Sequence, residues 1–250
     1  MTGAASRARL YGSGIFTTIR IVDGEPWLWD KHWRRLMHDS AAIGIDASAL
    51  NENELRQELK EKVAFSSLAA GKARITISDE RGSPLWSDAG RDTPPSVSIL
   101  TAPLRKLPAT FRVGVSPSPV NAGSPIAGLK TCNYLDQLLA LRSAMDDGFN
   151  EAERLNERGH VTSACMANIF WLNDAQLYTP ALSTGCLPGT TRELICETFN
   201  VREVEIGIEE LKMADAIFLT SAGLGVVRVD EFDGREMTPL DHAILRLVPA

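Results

Sequence analysis

The sequence lacks a basic run, and its formal net charge is -6, so a nucleic-acid or anionic-membrane partner is disfavoured on electrostatic grounds. It also lacks any apolar stretch long enough to cross a bilayer. The opening residues Met1 to Leu10 carry no apolar core of a secretion signal; the expectation is a cytoplasmic protein. Cysteine is scarce: Cys132, Cys165, Cys186 and Cys196 form no Cys-x-x-Cys pair and no Cys/His cluster with metal-ligand spacing. A metal site and a disulfide framework are therefore both unsupported, and free thiols are expected. No internal repeat is visible.

What is present is an ordinary globular composition, with 250 residues, 44% hydrophobic and 23% charged. That length suits one large domain or two small ones. Gly14 to Trp29 reads as two strands around an Asp23-Gly24 hairpin turn. A helix is expected over Lys31 to Ile43 with Asp30 as N-cap, and a second over Glu52 to Leu68 stopped by Gly71. Strands follow at Ala73 to Ser78 and Ser96 to Ala102, with a turn at Asp79 to Pro84. The stretch Ala102 to Pro108 holds two prolines between strand-like runs. A boundary there gives a small N-terminal α/β domain, 1–104, and a larger C-terminal domain, 105–250.

In the second half, Phe111 to Val115 reads as a strand and Ser116 to Pro125 as irregular loop. Leu135, Leu138, Leu139 and Leu141 fall at helical spacing, predicting an apolar stripe on one helix face. Hairpins are expected around Glu157-Arg158-Gly159 and around Asn173-Asp174. A helix is expected over Arg192 to Asn200, a strand over Val201 to Ile208, a short helix over Glu209 to Ala214 and a strand over Ala216 to Ser221. Strands and helices mixed in both halves make the fold class α/β (mixed α+β).

Four features bear on chemistry. Lys130 stands between the Pro/Gly/Ser-rich loop and a helix start, where a cation is poorly matched to the helix dipole; that suggests a lysine kept for its amine. Leu187-Pro188-Gly189-Thr190-Thr191 is a glycine turn opening onto a helix, either a phosphate cradle or only a turn. Thr220 to Gly225 is a strand running into a small-residue loop, again anion nest or plain turn. One of the adjacent pair Arg34 and Arg35 must lean toward the body of the protein, where it would favour an anion. A lysine amine together with a phosphate cradle suggests pyridoxal 5'-phosphate.

Tyr11-Gly-Ser-Gly-Ile-Phe-Thr-Thr-Ile-Arg20, His32-Trp-Arg-Arg-Leu36, Lys130-Thr-Cys-Asn-Tyr-Leu135, Gly159-His-Val-Thr-Ser163, Asn168-Ile-Phe170, Thr179-Pro180, Leu187 to Arg192 and Ala214 to Thr220 stand in the order found in one family. The chain resembles the class IV aminotransferases, fold-type IV pyridoxal-phosphate enzymes. The resemblance implies a two-domain α/β fold with the cofactor between the domains, usually in a homodimer. It implies Lys130 as the Schiff-base lysine and proton carrier, and Arg35 with the backbone N–H groups around Gly189, Thr190 and Thr191 as phosphate ligands. Ser221 and Ala222 would form the cradle's second wall. Tyr134 falls near a tyrosine that in branched-chain enzymes reaches the cofactor's phenolic oxygen, one residue nearer the lysine here. Thr18, Arg20 and Arg74 are the implied substrate contacts.

Within the family, Phe16-Thr17-Thr18 and Thr162 to Trp171 are similar to 4-amino-4-deoxychorismate lyase, an enzyme of folate biosynthesis, whereas aminotransferases usually carry Phe-Glu-Thr or Phe-Glu-Gly. The expected reaction is loss of a Cα proton to Lys130, release of pyruvate and formation of 4-aminobenzoate. A branched-chain or D-amino-acid aminotransferase is the alternative. Ser163 stands where the family has a glutamate that keeps the pyridine nitrogen protonated, so a weaker electron sink or a non-catalytic relative is a further reading. Glu153 and Arg154 put two charges on a rung that is apolar in the family; the expectation is a solvated pair, or Arg154 as a substitute partner for the ring or substrate. The family's first strand is not represented ahead of Tyr11.

Overall fold

A computed structural model describes residues 5–82 and 93–249; Ser83 and Pro84 of the expected turn lie outside them. The chain forms two compact units, Met1–Leu104 with Leu129–Tyr134, and Arg105–Gly128 with Leu135–Ala250. Leu129–Tyr134 therefore belongs with the first unit, although a boundary drawn along the chain assigns it to the second.

The first unit is one antiparallel sheet with helices on one face. After α1 (Arg7–Tyr11) come β1 (Gly14–Val22), β2 (Glu25–Pro26), α2 (Trp29–Ala42), α3 (Glu52–Phe65), β3 (Gly71–Ser78) and β4 (Ser96–Ala102), in the sheet order β2-β1-β3-β4. Asp23 and Gly24 both take positive φ, 51° and 79°, as a two-residue hairpin turn that follows the strand twist requires. Side chains alternate along β1 and β3: Ile15, Ile19, Ile21, Ile75 and Ile77 pack with Trp29, Leu36, Leu55, Leu59 and Val63 of the helices. The opposite face carries Phe16, Thr18, Arg20, Lys72, Arg74 and Thr76, read from the unbroken register of the two strands.

Boundaries differ from the sequence reading: α2 takes in Trp29, expected as strand, and β3 begins at Gly71 rather than Ala73. Leu28, with φ 55°, is the N-cap of α2, and Asp30 lies in the first turn, where its charge favours the helix dipole without capping it. Gly71 does not stop α3, which ends at Phe65; it opens β3, and a Cβ there would lie 2.9 Å from the Ala102 carbonyl oxygen. Strand pairing is thus what asks for glycine at position 71.

The second unit holds β5 (Arg112–Val115), α4 (Leu135–Asp146), β6 (Glu151–Leu155), β7 (Val161–Ala164), β8 (Asn168–Asn173), β9 (Gln176–Pro180), α5 (Thr190–Thr198), β10 (Val201–Val204), α6 (Ile208–Lys212), β11 (Ala216–Ser221), β12 (Gly225–Arg228), β13 (Glu231–Phe232) and β14 (Arg235–Glu236). They form two sheets, β10-β9-β8-β11-β12 and β14-β13-β5-β6-β7. Ile169, Trp171, Ile217, Leu219, Val113 and Val161 share one core, while Phe170, Leu172, Phe218 and Ile195 of α5 form another. The near-continuous burial of β8 and β11 matches strands packed on both faces.

Here too expectations shift. α5 begins at Thr190, two residues before the expected start, and β10 ends at Val204 rather than Ile208. The leucine stripe of α4 does not face a core: Leu135, Leu138 and Leu139 are 66%, 51% and 56% exposed, and the helix buries Ala140 and Ala144 instead. Small residues allow the helix to sit close on β6, which leaves the leucines outside.

The charged rung is not solvated. Glu153 and Arg154 are 0% and 1% exposed. The Arg154 guanidinium donates to the carbonyls of Ser118 and Pro119 and to Asp136 Oδ2 at 2.6 Å. Glu153 Oε1 accepts the N–H of Thr162, left without a strand partner where the β6–β7 register shifts. Arg154 is held by loop carbonyls that a sequence pattern does not show, whereas Glu153 Oε2 has no hydrogen-bond partner among the described residues and burial pushes the Glu153 pKa well above its ordinary value.

Candidate active site

Lys130 lies five residues ahead of α4, so the helix dipole does not act on it as the sequence suggested. Its backbone is held from two sides. The Phe16 N–H donates to the Lys130 carbonyl at 2.9 Å, and the Lys130 N–H donates to Asp39 Oδ2 at 3.0 Å. Thr131 forms an isolated bridge with Ile15, which fixes the segment against β1. The side chain crosses the Phe16 ring with Nζ 4.5 Å from its centroid, and Nζ donates to Tyr134 Oη at 3.2 Å. Phe16 and Tyr134 meet edge to face at 5.0 Å.

Removal from water pushes the Lys130 pKa down to about 7, and the Arg35 and Arg74 guanidinium groups push the same way, against the Asp39 carboxylate. An amine with that pKa is substantially neutral at neutral pH and can act as nucleophile and base. The Arg74 guanidinium carbon also lies over the Phe16 ring, 3.5 Å from the centroid, and its Nε donates to Thr76 Oγ1.

Arg35 is half-buried, whereas Arg34 is exposed. Arg35 Nη2 donates to Thr17 Oγ1 at 2.7 Å, and Thr17 Oγ1 lies 2.7 Å from His32 Nδ1. Thr17 and His32 are both 0% exposed. Thr17 Oγ1 thus accepts from Arg35 and shares a second hydrogen bond with the His32 ring. Burial, then the Arg35 and Lys130 cations, hold the His32 pKa well below its ordinary value. The motif His32-Trp-Arg-Arg-Leu36 thus delivers a neutral histidine and an oriented arginine from one helix face, three residues apart. Sequence reading named Arg35 but gave no role to His32, Thr17 or Asp39. The spacing of His32, Arg35 and Asp39 was the available signal.

The second unit contains the other expected groups. Gly189 is the N-cap of α5, without a side-chain cap, and a Cβ there would come within 2.1 Å of Asn168 Oδ1. Asn168 Nδ2 donates to the Leu187 carbonyl, and Asn168 pairs in register with Thr220. Thr191 is 2% exposed, and its Oγ1 finds no hydrogen-bond partner among the described residues; Thr220 Oγ1 is in the same condition. Ser221 pairs with Gly225 across the β11–β12 turn, which contains Ala222. Arg192 serves the fold: its Nη2 donates to the Pro180 carbonyl and to Glu203 at 2.6 Å. Ser163 is half-buried on β7, directly across from Arg154 on β6.

The sequence model described as amino-transferase class IV matches residues 14–232. This chain belongs to the class IV aminotransferase family. It is a pyridoxal-phosphate-dependent enzyme that acts on small amino-acid substrates. It is 28% identical over 231 residues to an aminodeoxychorismate lyase of Bacillus subtilis, covering 87% of this chain and 77% of the relative. It is also 28% identical over 235 residues to a D-alanine aminotransferase of Bacillus licheniformis, covering 92% and 82%. Among solved structures, a Legionella pneumophila protein provisionally assigned as 4-amino-4-deoxychorismate lyase superposes with a TM-score of 0.88 at 27% identity, covering 98% of this chain and 92% of that one. The fold is that of the fold-type IV enzymes.

The residues of this class IV enzyme fit the cofactor's chemistry. A partly neutral lysine suits an aldehyde, and the orphaned Thr191 hydroxyl beside a glycine whose Cβ has no room suits an anion at a helix start. Ser163 offers a hydroxyl and no charge. Among the described residues no group of three or more His, Cys, Asp or Glu could hold a metal ion, and no helix is long and apolar enough to cross a membrane.

Proposed function

We propose that Lys130 carries the cofactor and that the enzyme acts as an aminodeoxychorismate lyase, releasing pyruvate and leaving 4-aminobenzoate. The observation that supports the lysine's role is its pKa of about 7 beside Tyr134, Arg35 and Arg74. Pyridoxal phosphate, when bound, supplies an aldehyde for the amine and a ring that takes up charge from Cα. Lys130 Nζ accepts the Cα proton, and Tyr134 Oη holds the amine in place between steps. Arg35, oriented by Thr17, would be the first unit's phosphate ligand, and the N–H groups around Gly189, Thr190 and Thr191, with Ser221 and Ala222, would be those of the second. Ser163 would offer the ring nitrogen a hydroxyl and no charge. Thr18, Arg20 and Arg74 contact the substrate.

Support for the lyase reading comes from Thr17. The glutamate usual in the aminotransferases is replaced by a buried hydroxyl that bridges His32 and Arg35. The likeness to the Bacillus subtilis lyase points the same way. Amino transfer, as in branched-chain or D-amino-acid aminotransferases, is the second reading, supported by the likeness to the D-alanine enzyme. A homodimer is supported by the exposed leucines of α4.

The test is the purified protein with added pyridoxal phosphate. A visible absorbance band that Lys130→Ala abolishes is expected, followed by pyruvate release from aminodeoxychorismate. Amino transfer to a keto acid without pyruvate would select the second reading. A band without either turnover would select a non-catalytic relative, and a protein that takes up no cofactor would sink the proposal.

A further inference from the structure

Pro117 and Pro119 have no N–H, and the Ser118 N–H donates to Ser116 Oγ. The chain therefore leaves the β6 ladder between two backbone bonds, Ser116 N–H to the Glu153 carbonyl and Val120 N–H to the Leu155 carbonyl. Arg154 is the residue at this gap. Its guanidinium reaches the Ser118 and Pro119 carbonyls through Nε and Nη2, at 3.2 and 3.1 Å. The same Nη2 donates to Asp136 Oδ2, in the first turn of α4. A buried guanidinium is costly unless acceptors surround it, and here they come from two separate stretches of the chain.

Those two stretches flank Lys130. The chain departs from the second unit after Gly128, runs as Leu129–Tyr134 with the first, and returns at Leu135. Ser118 and Pro119 precede the departure, and Asp136 follows the return by one residue. One side chain thus ties the approach of the lysine segment to its exit. Fixing both ends of a loop lowers the entropy of its open state. The bonds that seat the segment, Lys130 N–H to Asp39 Oδ2 and Cys132 N–H to the Gly14 carbonyl, then open less often. Tyr134, whose Oη accepts from Lys130 Nζ, is joined directly to α4, so fraying of that helix start would free it.

We propose that Arg154 is a positioning residue for Lys130: with Asp136 it clasps the chain on both sides of the lysine segment and keeps the amine seated against Phe16 and Tyr134. The proposal draws its catalytic consequence from the proposed role of Lys130, whereas the clasp itself stands on the hydrogen bonds.

The experiment follows amide hydrogen exchange in the cofactor-free protein, comparing the wild type with Arg154→Met, Arg154→Lys and Asp136→Asn. In Arg154→Met the Lys130 and Cys132 amides should exchange about fivefold faster or more, beyond any change at the amides of β8 and β11. Arg154→Lys keeps the charge without the fork and should recover part of the protection. The Asp136 side chain is 63% exposed, so Asp136→Asn leaves the core intact and tests the clasp even where Arg154→Met does not fold; a smaller rise at the same two amides is expected. With Arg35, Arg74 and Asp39 in place, a better hydrated amine has a higher pKa, so the pH profile of cofactor loading should move to higher pH in Arg154→Met. Exchange at Lys130 and Cys132 that rises no more than in β8 and β11, with an unmoved loading profile, would make Arg154 a general stabiliser of the second unit and overturn the proposal. A protein that takes up no cofactor would strike the proposed function and leave the exchange rates to decide the clasp.

Discussion

At the residue scale the main consequence concerns the charge on one amine. A lysine pKa of about 7 means that the neutral fraction of Lys130 rises about tenfold per pH unit below 7 and levels above about 8. The rate of cofactor loading by stripped protein should follow that profile, measured by stopped-flow absorbance. Arg74→Gln removes a cation that pushes the value down, so the profile should move to higher pH. Asp39→Asn removes the opposing carboxylate while keeping an acceptor for the Lys130 N–H, so it should move to lower pH. Unchanged profiles in both variants would refute the electrostatic account.

A second residue makes a stability statement. Burial raises the Glu151 pKa to about 7, although its carboxylate accepts the N–H groups of Ala152 and Met166. A carboxyl that holds its proton more tightly when folded imposes no penalty below about pH 4.5. Its penalty grows through the interval up to about 7 and is complete above that, ~3 kcal/mol at most. Glu151→Gln should therefore flatten the fall in melting temperature between about pH 5 and pH 8, as read by differential scanning calorimetry. An identical fall in the variant would show that Glu151 is not its source.

At the element scale, the turn before α5 tolerates only glycine. A Cβ at position 189 would sit 2.1 Å from Asn168 Oδ1, and Asn168 in turn holds the Leu187 carbonyl. Gly189→Ala must displace the asparagine or the turn, with an expected loss of about 1–3 kcal/mol. If the turn binds phosphate, the variant should also lose affinity for pyridoxal phosphate by tenfold or more at unchanged Lys130 pKa. A variant with full affinity would separate the glycine from the ligand. The helix itself read clearly in the sequence through Leu194, Ile195 and Phe199, but its start lay two residues early because Thr190 and Thr191 carry no helical period of their own.

For the whole molecule, α4 turns Leu135, Leu138 and Leu139 away from its own core. Three large apolar side chains on one exposed helix fit a second copy of the chain. Leu138→Glu combined with Leu139→Glu should shift sedimentation from dimer to monomer while leaving the circular dichroism spectrum intact. A wild-type monomer would remove the homodimer proposal.

The sequence by itself determined most strands, their faces and the family. Ile15, Ile19, Ile75 and Ile77 alternate as a half-buried sheet must, Asp23-Gly24 supplies the positive φ of its turn, and the lysine and glycine motifs stand in family order. Period and turn chemistry are local, so one segment suffices to show them. What only the tertiary structure decided is where polar groups find partners. His32, Thr17 and Arg35 become one network, Asp39 reaches 91 residues along the chain to hold Lys130, Arg154 disappears into loop carbonyls, and Arg20 is left buried with none for its Nε and Nη1. Desolvation and hydrogen bonding are properties of the packed interior, and no pattern of spacing along the chain carries them.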